Sequence, residues 1–124
     1  MIEDQIRNLG LNAVGRVIPK PEAKALSHIK GLGIRRGQEA LIYTIPSHSK
    51  KSKHYVKGIT LSEFNKAYSE LLKSGSITKK WFNSKLPECA KEGSCNFTSI
   101  GGVFEILDLA KYAERGKYVA TIKA

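Results

Sequence analysis

His54-Tyr55-Val56-Lys57-Gly58-Ile59 runs directly into Thr60-Leu61-Ser62-Glu63, and the chain changes character at that junction. The first six residues carry β-branched and aromatic types and read as a strand over 54–59. The next four form a capping box, in which the Thr60 hydroxyl accepts from the backbone N–H of Glu63 while the Glu63 carboxylate accepts from that of Thr60. A helix over 61–74 follows, with Leu61, Phe64, Ala67, Tyr68, Leu71 and Leu72 on one face and Gly75 as its stop. Strand-forming sequence before the junction and helix-forming sequence after it make this an α+β chain. The reading is a single domain, 1–124, with subregions 1–59 and 60–124.

Working upstream, Ala40-Leu41-Ile42-Tyr43-Thr44-Ile45 is too apolar and too short for a surface helix. It reads as a buried strand, 39–45, ended by Pro46, and with 54–59 it suggests a β-hairpin with a long polar tip. The β-branched run 13–18 is a further strand, bounded by Pro19 and Pro21. Ile2, Ile6 and Leu9 recur at helical spacing, giving a helix over 2–9. Ala25, Leu26 and Ile29 predict a second helix over 22–30, with Pro21 in its first turn and a Gly-rich turn over 31–37 after it. Downstream, 78–86 reads as a helix carrying Trp81, Phe82 and Leu86 inward and Lys79, Lys80, Asn83 and Ser84 outward. Residues 87–96 read as a loop, 100–114 as a helix and 118–122 as a closing strand. The strands then form a small sheet or barrel packed with the helices.

At 124 residues and 41% hydrophobic content the chain can bury a core. No apolar run approaches the roughly 18 residues of a membrane span, and Met1-Ile2-Glu3-Asp4 is acidic where an export signal is basic. A cytoplasmic protein without a membrane partner is the expectation. Cys89 and Cys95 are too few for a disulfide scaffold, and their spacing fits neither a zinc knuckle nor a redox pair. Read as ordinary reduced cysteines in a loop, they leave no metal or cofactor to assign. His28, His48 and His54 share no metal-type spacing either.

Charge is the informative quantity: 21 Lys and Arg face 11 Asp and Glu, a net +10. From Ala40 to Ser62 there is no acidic residue but Lys50, Lys51, Lys53 and Lys57; from Leu71 to Pro87 there is again none, with Lys73, Lys79, Lys80 and Lys85. Concentrated cations beside Tyr55, Trp81 and Phe82 suit a phosphate backbone, because each neutralised phosphate releases condensed counterion. The candidate nucleic-acid contacts are Arg16, Arg35, Arg36, Lys50, Lys51, Lys53, Lys57, Lys79, Lys80, Asn83 and Lys85. Helix 61–74, the turn at Gly75-Ser76 and helix 78–86 have helix-turn-helix spacing, which would let Asn83 read a base edge while the lysines hold phosphates. Thr98-Ser99-Ile100-Gly101-Gly102 at a helix start could seat an anion on free N–H groups. Two alternatives use the same residues. One is a non-enzymatic adaptor for an acidic protein; the other is a small metal-independent ribonuclease with His48 and His54 as its acid–base pair. No catalytic residue is assigned.

Gly15-Arg16-Val17-Ile18-Pro19-Lys20, then Leu32-Gly33-Ile34-Arg35-Arg36-Gly37-Gln38 and the strand to Ile45, resemble the AbrB/SpoVT-type swapped-hairpin DNA-binding domain of bacterial regulators and antitoxins. That family has a G-R-V-x-I-P strand, a short helix, an L-G-I-x-x-G-D turn and further strands. The resemblance implies a homodimer of interlocked chains that binds DNA, with Arg16 carried over by motif position as a DNA-contacting arginine. Lys24 and Lys30 fall in the matching helix but not at aligned positions, the strand motif is one residue short, and Gln38 stands where the family has an acid.

Overall fold

The computed structural model describes residues 2–21, 26–46 and 54–121. Helix α1 (Ile2–Asn12) leads into four antiparallel strands, β1 (Val17–Ile18), β2 (Ser27–Arg35), β3 (Gln38–Pro46) and β4 (His54–Thr60), paired in chain order as a curled half-barrel. Then come α2 (Leu61–Ser74), β5 (Ser76–Thr78), α3 (Lys79–Lys85), α4 (Pro87–Glu92), α5 (Asn96–Ile106), β6 (Ala110–Glu114) and β7 (Lys117–Ala120). Strand β7 pairs with both β5 and β6, so a second sheet has the order β5-β7-β6. The class is α+β, as expected.

Helix α2 forms as its sequence dictates. The Glu63 N–H donates to Thr60 Oγ1 at 3.0 Å and the Thr60 N–H to Glu63 Oε1 at 2.8 Å, while Gly75, at φ 80°, closes the helix by donating to the Leu71 carbonyl. Leu61, Phe64, Ala67 and Leu71 are buried; Tyr68 is half-buried and Leu72 is exposed, so the buried stripe is narrower than the spacing suggests. Each large apolar side chain buried this way contributes about 2–3 kcal/mol.

The helix expected over 22–30 is not what the chain adopts from Ser27 onward. Residues 22–25 lie outside the described ones, and Ser27–Arg35 is a strand that alternates at its start, with Ser27 and Ile29 buried and Lys30 exposed, up to the bulge at Ile29/Gly31. Leu26 is 53% exposed, so its helical spacing from Ile29 was coincidental. Pairing along β3 decides the matter, since a nine-residue strand satisfies its backbone groups only against a neighbour. The expected Gly-rich turn is likewise strand. Gly31 takes φ +148° at a β-bulge, and the reversal is left to Arg36-Gly37, at φ 52° and 74°. Two positive φ values mark a two-residue hairpin turn of the primed kind, in which arginine is an unusual first residue.

Three further corrections fall in the second half. The turn expected between two helices contains β5, so α2 and α3 are joined by a sheet strand and not by a helix-turn-helix corner. The expected loop over 87–96 holds α4, because Pro87 opens a helix at its first turn instead of merely ending one. The expected helix over 100–114 splits: α5 begins earlier, at Asn96, and ends at Ile106; the chain then passes through Asp108 at φ 58° into β6. Gly116 serves the β6–β7 hairpin at φ 79°. The strand expected over 13–18 is short, covering only Val17 and Ile18.

One core spans both subregions. Ile18, Ile29, Leu41, Tyr43 and Ile59 from the half-barrel meet Phe64, Phe82, Phe97, Phe104 and Tyr118 from the other side. Aromatic edges organise it, with Phe97 5.6 Å from Tyr118 and 5.7 Å from Phe82 between ring centroids.

Candidate nucleic-acid interface

Thr78 places α3: it pairs with Lys117 in the β5–β7 ladder, and its Oγ1 accepts from the Trp81 N–H at 3.0 Å. Immediately after it, the Lys79 N–H donates to the Gly116 carbonyl at 2.9 Å, which ties the first turn of α3 to the tip of the β6–β7 hairpin. The backbone of the first turn of α3, carrying Lys79 and Lys80, is thereby joined to the Arg115-Gly116-Lys117 tip, more than thirty positions away in the chain. Buried Phe82 anchors the helix from below. The Lys79 ammonium lies 5.6 Å from the Phe82 ring and donates to the Ser94 carbonyl at 3.0 Å, so it is held close to the body. Lys80 and Arg115 are exposed and Lys117 is half-buried, and none of them pairs with a carboxylate among the described residues. Glu114 is the one acid in this group. Asn83 and Lys85 are exposed farther along α3.

The other expected contacts are elsewhere and differ in kind. Arg16 is exposed in the turn before β1. Arg36 is committed internally: its guanidinium grips Glu63 through Nε at 2.9 Å and Nη2 at 2.7 Å, donates to the Gly58 carbonyl at 3.0 Å, and also bonds Glu92. Arg35 pairs with the same Glu92 at 3.2 Å. Burial opposes charge here, yet the hydrogen bonds from Glu63 and Glu92 hold the Arg36 guanidinium well above its ordinary pKa. Burial likewise works against the Glu92 carboxylate, and Arg36 and Arg35 outweigh it, holding that group below the usual range. The Lys57 ammonium donates to the Glu92 carbonyl at 2.8 Å. Lys50, Lys51, Lys53 and His48 lie outside the described residues, and His54 opens β4.

The anion seat expected at Thr98-Ser99-Ile100-Gly101-Gly102 is closed. These residues lie within α5, and a Cβ on Gly101 would fall 2.1 Å from the Tyr118 ring. Both hydroxyls already face a cation of the chain itself: Lys20 Nζ donates to Ser99 Oγ at 2.7 Å, Thr98 Oγ1 at 2.9 Å and the Cys95 carbonyl at 3.2 Å, 5.6 Å from the Tyr43 ring. No carboxylate contacts this ammonium among the described residues. Burial pulls its pKa down to about 8. Tyr43 completes the cluster by donating to Asn96 Oδ1 at 2.5 Å, with Cys95 Sγ 3.4 Å away. Cys89 is buried in α4, not in a loop as expected; both cysteines are free thiols, and burial pushes the Cys89 thiol up.

The Lys20 cluster carries a pH prediction. Unfolded, Lys20 keeps its proton up to about 10.5, while the folded chain releases it near 8, so the unfolded state binds more protons between those values. The Lys20 contribution to stability therefore rises with pH across that window, by about 3 kcal/mol. Denaturant unfolding at pH 7, 8, 9 and 10 should show Lys20→Met gaining on wild type at the low end and losing that advantage at the high end.

Arg115 and Lys117 were not legible as site residues, because only the β7 pairing brings them to α3; the basic hairpin tip Arg115-Gly116-Lys117 was the available signal. Comparison of the chain with family models, with curated proteins and with solved structures finds no match.

Proposed function

We propose that this is a nucleic-acid-binding protein that grips phosphates through the surface where α3 meets the β6–β7 hairpin. The observation that supports the reading is the Lys79–Gly116 backbone bond, which joins the first turn of α3, where Lys80 is exposed, to the Arg115-Gly116-Lys117 hairpin tip. Cations on a rigid helix and a rigid hairpin lose less freedom on binding than cations on a tail. Asn83 and Lys85 extend the surface along α3, and exposed Arg16 is a separate contact. Arg35 and Arg36 act in this reading as internal cross-links.

Gel shift or anisotropy with duplex DNA, single-stranded DNA and RNA tests it. Binding tighter than about 1 μM at low salt is expected, with Lys80→Ala and Arg115→Ala each reducing the salt slope by about 1. Lys80→Glu combined with Lys117→Glu should weaken binding at least tenfold, uniformly across sequences, at the cost of roughly 1.4 kcal/mol. Unchanged affinity in that double variant sinks the proposal. The AbrB/SpoVT resemblance over 15–45 adds DNA as the partner and a swapped homodimer as the state. Sedimentation should then give twice the 13.7 kDa of one chain, and a monomeric mass removes the swap.

A further inference from the structure

A cavity of about 330 Å³ opens between the Arg36-Gly37 turn, the start of α2 and the α3–α4 junction. We propose that it receives one unpaired nucleotide of a bound strand, its base inside and its phosphodiester at the rim; this rests on the nucleic-acid reading and specifies it as recognition of unpaired nucleotides.

The lining argues for that chemistry. Pro87, backed by buried Leu86, supplies an apolar wall against which a flat ring can lie, while Gln38 and Ser62 supply an amide and a hydroxyl that both donate and accept. Such a pairing of an apolar wall with a few donor–acceptor groups suits the edge of an unstacked base, which single strands expose and duplexes do not. The volume sits at the low end of small-ligand pockets, roughly 300–1,000 Å³, and suits one nucleotide better than a peptide. Arg36 and Glu63 also border the space, but their charges are spent on each other at 2.7 Å.

Rim charges select the phosphate. Lys66 and Lys85 are exposed and unpaired with carboxylates among the described residues, and they stand on two different helices. Glu88 shares the rim and repels anions. Two lysines against one carboxylate leave the rim net positive, which suits the phosphate that accompanies the base. Lys85 also lies on α3, whose first turn holds Lys79 and Lys80. The cavity rim and the basic surface are thus connected by one short helix.

The test measures anisotropy of a labelled single-stranded 12-mer and of its duplex, with wild type, Ser62→Trp, Lys66→Ala and Lys80→Glu. Ser62→Trp fills the cavity from α2, and Lys66→Ala, at an exposed helix position, covers the case in which the tryptophan disturbs folding. Ser62→Trp should weaken single-strand binding roughly tenfold, the worth of one base contact, Lys66→Ala should weaken it severalfold through the lost phosphate contact, and both should leave duplex binding unchanged. Lys80→Glu should weaken both. If the two cavity variants bind single strands like wild type, or lose single strand and duplex alike, the cavity is not a nucleotide site and the basic surface stands alone. Should wild type bind neither, the nucleic-acid reading has failed. Titration with adenosine 5′-monophosphate, monitored by amide NMR, then judges the cavity by itself. Shifts at Gln38, Ser62 and Lys66 that inorganic phosphate does not reproduce support a nucleotide pocket fed by free nucleotide; shifts reproduced by phosphate, or no shifts, overturn it.

Discussion

Arg36→Ala should lower the unfolding free energy by about 3–5 kcal/mol, the usual cost of removing one partner from a largely buried ion pair. The side chains of Glu63 and Glu92 are 12% and 20% exposed, so the substitution leaves Glu63 without its cation where water reaches poorly and leaves Glu92 with Arg35 alone. Arg36 also joins separate parts of the fold: the β2–β3 turn, the Gly58 carbonyl of β4, the capping box of α2 and the end of α4. Its positive φ of 52° adds backbone strain that these bonds keep in place. Arg36→Lys should recover only a small part, since a single ammonium cannot grip one carboxylate twice and reach a second. Urea unfolding gives the magnitude. Acid titration gives a second readout. The folded Glu92 carboxyl lies below its unfolded value of 4.5, so its contribution is present above that pH and is lost as pH falls through the folded pKa. The acid-induced loss should be shallower in Arg36→Ala than in wild type, because one of the two guanidinium groups on Glu92 is gone. A loss of less than about 1 kcal/mol, the worth of an exposed pair, would mean that the network is ornamental to stability.

Gly102→Ala should be comparably severe, at about 3 kcal/mol or more. An added Cβ would sit 2.3 Å from the Pro19 carbonyl oxygen and 2.6 Å from Ile18 Cγ2. The first is backbone of the segment carrying β1, so relief requires moving that segment off α5. Gly15, at φ +91° with nothing within 4 Å, is the natural control: Gly15→Ala costs only backbone strain, about 1–2 kcal/mol. In thermal unfolding the Gly102 variant should fall by about 10 °C, given the few degrees per kcal/mol of a domain this size. Gly101→Ala separates the mechanisms, because its clash is with the Tyr118 side chain. Tyr118→Leu should partly rescue Gly101→Ala and leave Gly102→Ala unrescued. Equal rescue of both would show that the α5–β1 contact is not the cause.

What could be read beforehand follows from the range of the forces involved. The capping box, the α2 core stripe and the Gly75 stop are satisfied within a few residues, and they stand where the sequence puts them. Strand β3 was legible because an apolar run that short has to be buried, and β4 from its β-branched and aromatic residues next to it. The failures share a cause. In 26–30 and 107–113 the apolar spacing fits a helix as well as a strand, and the choice falls to the neighbour: β3 for the first, β7 for the second. Glycines misled in the same way: Gly33 makes room for Ile42 on the neighbouring strand instead of turning the chain, and Gly101 and Gly102 make room for Tyr118 and the Pro19 backbone instead of seating an anion.

The surface divides along the same line. By itself the sequence determined the α+β class, the helix from Leu61 to Ser74 and a cationic excess with two acid-free stretches, because composition and local hydrogen bonding suffice for these. Only the tertiary structure decided which cations are free. Arg35 and Arg36 meet Glu92 and Glu63 across intervals of 57 and 27 residues, and Lys20 meets Ser99 across 79. The hairpin tip with Arg115 and Lys117 is joined to the first turn of α3 only through the β7 ladder and the Lys79–Gly116 bond. A charge's worth depends on what lies within a few ångströms of it, and that distance is set by the fold and not by position in the chain.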